Sequence, residues 1–309
     1  MLASLQPNLE NAVSPERIAF IHRVIERRGP EPQEYEEVTA WINALADDVK
    51  AGRTTEDAVY ELWLNLTRQH FRGSLQAMVV EIPHGYHGDF EVIDGIHCER
   101  ISPDPGVARW DGYLQAQAAP KAVRNRVEYL HELVRFTCAH FGRTIRVLNV
   151  ASGPSRDVRK WLDTRGPTMA TFDCVDLDAN AIRFAEKLCQ PYPNSVRFFN
   201  TNALTFKAPC KYDLVWSAGL FDYLEDRLFI RLIRRLLRFT QNGGEVVVGN
   251  FGDYNPTRNY MELLGRWKLI HRSRKQLLEL AVAAGVSMDR VRIDQESEGV
   301  NLFLRIKVP

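Results

Sequence analysis

The 309-residue sequence is poor in cysteine: it has five, Cys98, Cys138, Cys174, Cys189 and Cys210, and no two form a C-x-x-C pair. An odd, scattered set excludes a disulfide framework and argues against a zinc site, so no metal is expected and a reducing cytoplasm is the expected compartment. No apolar run reaches the ~18–20 residues of a membrane span. Residues 1–7 lack a basic stretch followed by a long apolar one, so no secretory signal is read there. Charge of one sign is not in excess either. Forty Lys+Arg against 39 Asp+Glu leave a formal net charge of +1, which is not the balance of a chain built to neutralise nucleic-acid phosphates. There is no internal repeat, no low-complexity tract and no G-x-G-x-x-G run, and the last absence argues against a nicotinamide dehydrogenase. What is present is 45% hydrophobic and 26% charged residues, enough for a large core in one large or two modest domains.

The pattern changes near residue 143. Before it, apolar residues recur at helical spacing. Ser14 and Pro15 open one helix, with Ile18, Ile21, Val24 and Ile25 on one face and Gly29-Pro30 as its stop. Residues 34–50 carry a second stripe (Val38, Trp41, Ile42, Leu45, Val49), and Thr54-Thr55-Glu56-Asp57 opens a third helix with Leu62 and Leu66 inward. Residues 84–117 read as loop, because Tyr86, His87 and Asp89 stand among Gly85 and Gly88, and Ser102-Pro103-Asp104-Pro105-Gly106 is turn chemistry. A long helix follows from Pro120. The expected organisation is a helical N-terminal lid or substrate domain over 1–118 and a nucleotide-binding domain over 119–309.

In the second part, strands at 145–150, 170–176, 195–199, 212–217 and 244–249 alternate with helical stretches, and 289–293 and 302–308 close the chain as an antiparallel pair. This spacing predicts an α/β, doubly wound, mostly parallel sheet, whose ligand binds beyond the carboxyl ends of the strands. The loops there carry the chemistry. Small residues at Ala151-Ser152-Gly153 let the backbone approach a ligand, and the helix start beyond them, through Asp157, favours polar or negative groups. Asp176, at the end of the second strand, can accept both hydroxyls of a ribose, whereas Asp178 is placed to cap a helix. An amide at Asn202 can read the edge of an adenine. Ser217-Ala218-Gly219 offers a small-residue floor, followed by aromatics and an acid.

In this order the elements resemble the class I S-adenosylmethionine-dependent methyltransferases over about residues 120–309. The resemblance implies a Rossmann-like seven-stranded sheet with an antiparallel C-terminal strand, and S-adenosyl-L-methionine as cofactor. It places Ala151, Ser152 and Gly153 around the methionine part, Asp176 on the ribose and Asn202-Ala203 at the adenine, with Asp157, Leu177, Ser217 and Arg126 as further cofactor contacts. The sequence departs from the family in keeping one glycine, Gly153, in the first loop and in having Asn202 where Asp is usual. Residues 83–91, 117–126 and 259–272 also resemble a bacterial subgroup with a helical N-terminal extension. Its members are linked to methyl-ester formation on a 3-hydroxy fatty acid, and the chain is similar as well to methionine S-methyltransferases of the dimethylsulfoniopropionate route.

Methyl transfer from a sulfonium is an in-line displacement that depends on positioning and on excluding water. A hydroxyl acceptor needs a base, a carboxylate does not, and a thioether has no proton to lose. Candidate catalytic groups are Tyr86, His87, Asp89, Tyr260 and His271, and candidate acceptor contacts are Arg124, Tyr254 and Arg258, since arginine forks bind carboxylates at two points. The expected substrate is a small carboxylate-bearing metabolite, with a methionine-type thioether first and carboxyl O-methylation of a 3-hydroxy fatty acid second. A non-catalytic nucleotide-binding module is the alternative from another class. Nucleic acid is not expected, because Ser217-Ala218-Gly219-Leu220 stands where amino-group enzymes often carry Asn/Asp-Pro-Pro-aromatic. No membrane span is expected, and a homo-oligomer is left open. The arginine row Arg227, Arg231, Arg234, Arg235 and Arg238 reads as a solvated helix face, with a membrane-surface or acidic-partner contact as the lesser reading.

Overall fold

The computed structural model describes residues 13–309, which form two compact units. One holds the chain through Lys121 together with Pro256–Lys268; the other holds Ala122–Asn255 and Leu269–Pro309.

The first unit is helical. Helix α1 (Pro15–Glu26) has proline in its first turn, where no amide partner is lost, and Gly29 at φ +107° follows its end. Helices α2 (Tyr35–Lys50) and α3 (Glu56–His70) come next, α3 capped by the Thr55 side chain, which accepts from the Ala58 amide at 3.1 Å. Residues 84–117 are not simply loop. After α4 (Leu75–Glu81) they contain α5 (Phe90–His97) and α6 (Ala108–Ala116). Both are too short to show a long periodic stripe, but α6 buries Trp110, Tyr113 and Leu114. The core joins Trp63 to Phe71 and Trp110, with ring centroids 5.2 and 6.0 Å apart. Burying a ring of this size contributes roughly 1.5–3 kcal/mol.

Residues 256–268 correct the sequence expectation, which kept them in the 119–309 domain. A π-helical turn (Tyr260–Leu264) buries Tyr260, Met261, Leu263 and Leu264 in the helical unit. There Asn259 Nδ2 donates to Asn43 Oδ1 at 2.9 Å and the Tyr260 hydroxyl bonds Gln76.

Helix α7 (Ala118–Phe141) carries the chain across the division. The second unit is built on β1 (Ile145–Val150), β2 (Ala170–Asp176), β3 (Val196–Asn200), β4 (Tyr212–Ser217), β5 (Thr240–Phe251), β6 (Val291–Gln295) and β7 (Asn301–Lys307). Their order is β3-β2-β1-β4-β5-β7-β6; β1 to β5 pair in parallel, and β7 is antiparallel to both β5 and β6. This is the Rossmann-like mixed sheet that the sequence predicts. Helices α8 (Arg156–Arg165), α9 (Ala179–Cys189), α10 (Asp226–Phe239) and α11 (Arg274–Ala283) complete it. Alternate residues of β1 serve opposite faces: Leu148 and Val150 join Phe229, Leu232 and Ile233 of α10, whereas Ile145 and Val147 join Leu130 and Val134 of α7 and Trp161 of α8. The order reverses between β1 and β4, so the crevice for a ligand lies at the carboxyl ends of those two strands.

Candidate cofactor and acceptor site

The turn from β1 to α8 is strained and tightly held. Ala151, Gly153 and Ser155 all have positive φ, +53°, +50° and +51°. Only glycine accepts that region freely, so Ala151 and Ser155 cost on the order of 1–2 kcal/mol each. Hydrogen bonds hold the shape: Ser152 N donates to Val175 O at 3.1 Å, Ser155 N to Ser152 O at 3.0 Å, and Gly153 N to Asp176 Oδ2 at 2.8 Å. The other oxygen of Asp176 accepts from Asp178 N at 2.9 Å. The last residue of β2 therefore ties the turn after β1 to the turn after its own strand. A carboxylate has about four lone-pair sites, so about two remain for a ligand. Burial raises the Asp176 carboxyl above its ordinary range, and the amides of Asp178 and Gly153 oppose that. Asp178 caps α9 by accepting from Asn180 N at 2.7 Å, as its position predicts, while Leu177 is 69% exposed. A Cβ built on Gly153 meets nothing within 4 Å, and the buried Ser152 hydroxyl has no partner.

Two expected cofactor contacts have other uses. The Ser217 hydroxyl, wholly buried, donates to Val150 O at 2.9 Å, so its side chain fastens β4 to β1 at the switch point. Asp157 accepts from Asn149 Nδ2 at 3.2 Å and Val158 N at 2.8 Å, bracing the start of α8 against β1, and burial raises its carboxyl. Beyond β3, Asn202 is exposed and its Oδ1 accepts from Leu204 N at 2.8 Å, an Asx turn that fixes the half-buried Ala203 beside it.

Arg126, on α7, is buried. Its Nη1 donates to Ala218 O at 2.6 Å and lies 3.5 Å from Asn301 Oδ1, with no ion pair to a carboxylate among the described residues. Burial lowers its pKa, opposed by the charges of Asp222 and Tyr223. Asp222, 2% exposed, accepts from Phe251 N, and burial pushes its carboxyl up to about 6 against that amide and Arg126. Arg272 Nη1 donates to Asn250 Oδ1 at 2.8 Å and Phe221 O at 3.0 Å. The sequence reading noted Asp222 only as the acid after the fourth strand and did not single out Asn250, Arg272 or Asn301. A signal was present: Asn149, Asn250 and Asn301 interrupt apolar strands, and buried amides at strand ends require partners.

The acceptor candidates are dispersed. In the second unit, Tyr254 is 62% exposed and Arg124 half-buried. His271 Nδ1 is 3.2 Å from Leu269 O, which can only accept, so Nδ1 carries the proton and Nε2 accepts from Asn255 Nδ2 at 3.2 Å. That engages both ring nitrogens. In the first unit, Tyr86 is exposed, and His87 is half-buried with its imidazole pKa lowered by burial. Asp89 and Tyr260, both named as catalytic candidates, are buried. Asp89 is 1% exposed and caps α5 by accepting from Glu91 N and Val92 N, both at 3.0 Å; Tyr260 is closed into the core on Gln76. Arg258 is already paired with Glu262 at 2.8 Å. Among the described residues no cluster of His, Cys, Asp and Glu could hold a metal.

A family model described as a methyltransferase domain matches residues 147–244, from the middle of β1 to the middle of β5 and thus the loops after β1, β2, β3 and β4. The chain carries a methyltransferase domain. It is that of an S-adenosylmethionine-dependent enzyme. No curated protein matches the sequence. Among solved structures, the chain is similar to a possible exported protein from Bordetella parapertussis at 15% identity and TM-score 0.62, over 84% of this chain and 98% of that one, a likeness of fold. It is also similar to magnesium protoporphyrin IX methyltransferase from Synechocystis PCC 6803 with bound S-adenosylhomocysteine, at 13% identity and TM-score 0.48, over 61% and 86%. A third is the 1,6-didemethyltoxoflavin-N1-methyltransferase of Burkholderia thailandensis, at 16% identity and TM-score 0.45, over 64% and 86%.

The methyltransferase residues fit the cofactor chemically. The turn at Gly153 is open, the Ser152 and Ser155 hydroxyls are buried polar groups without a partner, and Asp176 retains acceptor capacity suited to a vicinal diol.

Proposed function

We propose that this methyltransferase acts on a small carboxylate-bearing acceptor, with a methionine-type thioether as the first reading. The observation that carries it is the state of three groups named as bases. Tyr260 and His271 have their polar atoms committed inside the fold, as a core hydrogen bond and a doubly bonded imidazole, and one oxygen of the buried Asp89 is taken up as a helix cap. An acceptor with no proton to remove suits such a site. S-adenosylmethionine supplies the methyl group when bound. Asp176 would hold the ribose hydroxyls, and Ala151 to Gly153 would line the methionine part. Buried Arg126, lacking a carboxylate partner of its own, would take the cofactor's carboxylate. Asn202 and Ala203 would meet the adenine. The acid-rich strand ends would favour the sulfonium. Arg124 and Tyr254 are the acceptor contacts proposed in the second unit, and Tyr86 and His87 are the candidates that the helical unit carries.

Carboxyl O-methylation of a 3-hydroxy fatty acid is the second reading, since a carboxylate is also already deprotonated. Incubation with methyl-labelled cofactor and a panel of methionine, other thioethers, thiols and 3-hydroxy acids separates the two. Label in a sulfonium product supports the first, label in a methyl ester supports the second, and transfer to a thiol or hydroxyl alone refutes both.

A further inference from the structure

Helix α10 carries five arginines against one aspartate, in a chain whose net charge is +1. Its apolar side is already in the core, through Phe229, Leu232, Ile233 and Leu236. The fold fixes two of the arginines. Arg235 donates to Phe206 O and lies over the Phe239 ring; Arg234 bonds the Ala283 and Ala284 carbonyls at the end of α11. Arg227, Arg231 and Arg238 are exposed, and no carboxylate among the described residues comes within ion-pair distance of any of them. At 1.5 Å rise per residue they span a line of about 16 Å. Uncompensated like charges in a row repel one another, and a typical surface intersperses acids between them.

The same three arginines and Arg234 border a groove of about 630 Å³, with Leu228, Ile230 and Ala283 completing its lining. Leu228 is 37% exposed, and Val282, next to Ala283 on α11, is 47% exposed. The guanidinium fork matches phosphate geometry, and a straight row of forks meets several phosphates at once only if they are presented as an array. Exposed apolar side chains beside the row favour one array over others. A bilayer offers an acyl boundary directly beneath its phosphates, whereas a nucleic-acid backbone or an acidic peptide gives Leu228 and Val282 no such environment.

We propose that the α10–α11 face docks on the surface of an anionic phospholipid bilayer, with headgroup phosphates on Arg227, Arg231 and Arg238 and with Leu228 and Val282 at the acyl boundary. The surface is independent of the strand-end site, so it neither rests on nor tests the acceptor reading. Each basic residue near an anionic leaflet contributes about fivefold to partitioning, so three contribute about a hundredfold.

The full chain should be sedimented with vesicles of phosphatidylglycerol and phosphatidylcholine in a one-to-two ratio, and with phosphatidylcholine alone. Binding is expected to the anionic vesicles only and should be lost at ~0.5 M salt. The variant Arg227→Gln/Arg231→Gln/Arg238→Gln should lose about a hundredfold in partitioning, with an unchanged melting profile and unchanged affinity for S-adenosylhomocysteine. Leu228→Ser should weaken binding without altering its salt dependence. Absence of vesicle binding, equal binding to neutral vesicles, or retention by the triple variant overturns the proposal. So does binding of poly-L-glutamate or a single-stranded RNA homopolymer by a protein that ignores vesicles.

Discussion

Asp176 is the residue at which loop geometry and ligand binding meet, and replacing it separates the two. Asp176→Ala removes the acceptors of two backbone amides, Gly153 N at 2.8 Å and Asp178 N at 2.9 Å, and with them the proposed partner of the ribose hydroxyls. A hydrogen bond to a charged group contributes about 1.5–3 kcal/mol. Loss of the ribose contact should therefore weaken cofactor binding by about tenfold to 150-fold, at 1.4 kcal/mol per tenfold. The amides lie at half-buried turns and can turn to water, so the cost to the ligand-free fold should stay near the lower end, about 1–2 kcal/mol. Asp176→Asn should fall between, because its one oxygen can serve one amide while its NH2 group faces the other. Titration calorimetry with S-adenosylhomocysteine reads the first quantity, and urea unfolding without ligand reads the second. If the alanine variant unfolds more easily but binds with unchanged affinity, the carboxylate only staples two loops and the ribose is held elsewhere.

Four further outcomes follow from the same geometry. The Asp222 carboxyl, raised from 3.8 to about 6, binds its proton more tightly folded than unfolded, so its stabilising contribution is full below pH 4 and lost as the pH rises through 6. Asp222→Asn keeps an acceptor for Phe251 N, so urea unfolding should show the variant gaining on wild type by up to about 3 kcal/mol between pH 4 and 7, and a flat difference refutes the buried carboxyl. Tyr260→Phe should lower stability by about 1–3 kcal/mol by leaving Gln76 unpaired, with kcat unchanged; a fall in kcat at full folding would restore a catalytic role. Ala151→Val puts a β-branched residue at φ +53° and should cost about 1–3 kcal/mol in unfolding free energy, and a neutral result would mean that the turn is not held as described. Arg126→Lys keeps the charge but not the fork, and should raise the dissociation constant for S-adenosylhomocysteine by about tenfold while sparing that for adenosine. Equal losses for both ligands would place the cofactor's carboxylate elsewhere.

The sheet was legible in the sequence because parallel strands buried on both faces read as short, mostly apolar runs, as in Ile145–Val150 and Tyr212–Ser217, and because caps such as Asp178 act locally. Asp176 was legible for the same reason: its place at a strand end follows from chain order. What the chain order could not supply was the partner of each polar side chain. Ser217 meets Val150 across 67 positions and Tyr260 meets Gln76 across 184, so neither commitment leaves a local trace, and both residues read as available chemistry. Asp89 differs again, since an acid just after Gly88 reads as part of an active-site loop until the short helix that it caps is seen.

The sequence by itself determined the order of strands and helices, the turn that needs small residues after β1 and the carboxylate that closes β2, because each depends on neighbours within a few residues. Tertiary structure alone decided which acids and arginines share a buried cluster, that residues 256–268 pack with the helical unit, and that three arginines of α10 have no ionic partner among the described residues. The reason is desolvation: a polar group's role is set by what surrounds it once water is removed, and that is fixed by residues far away along the chain.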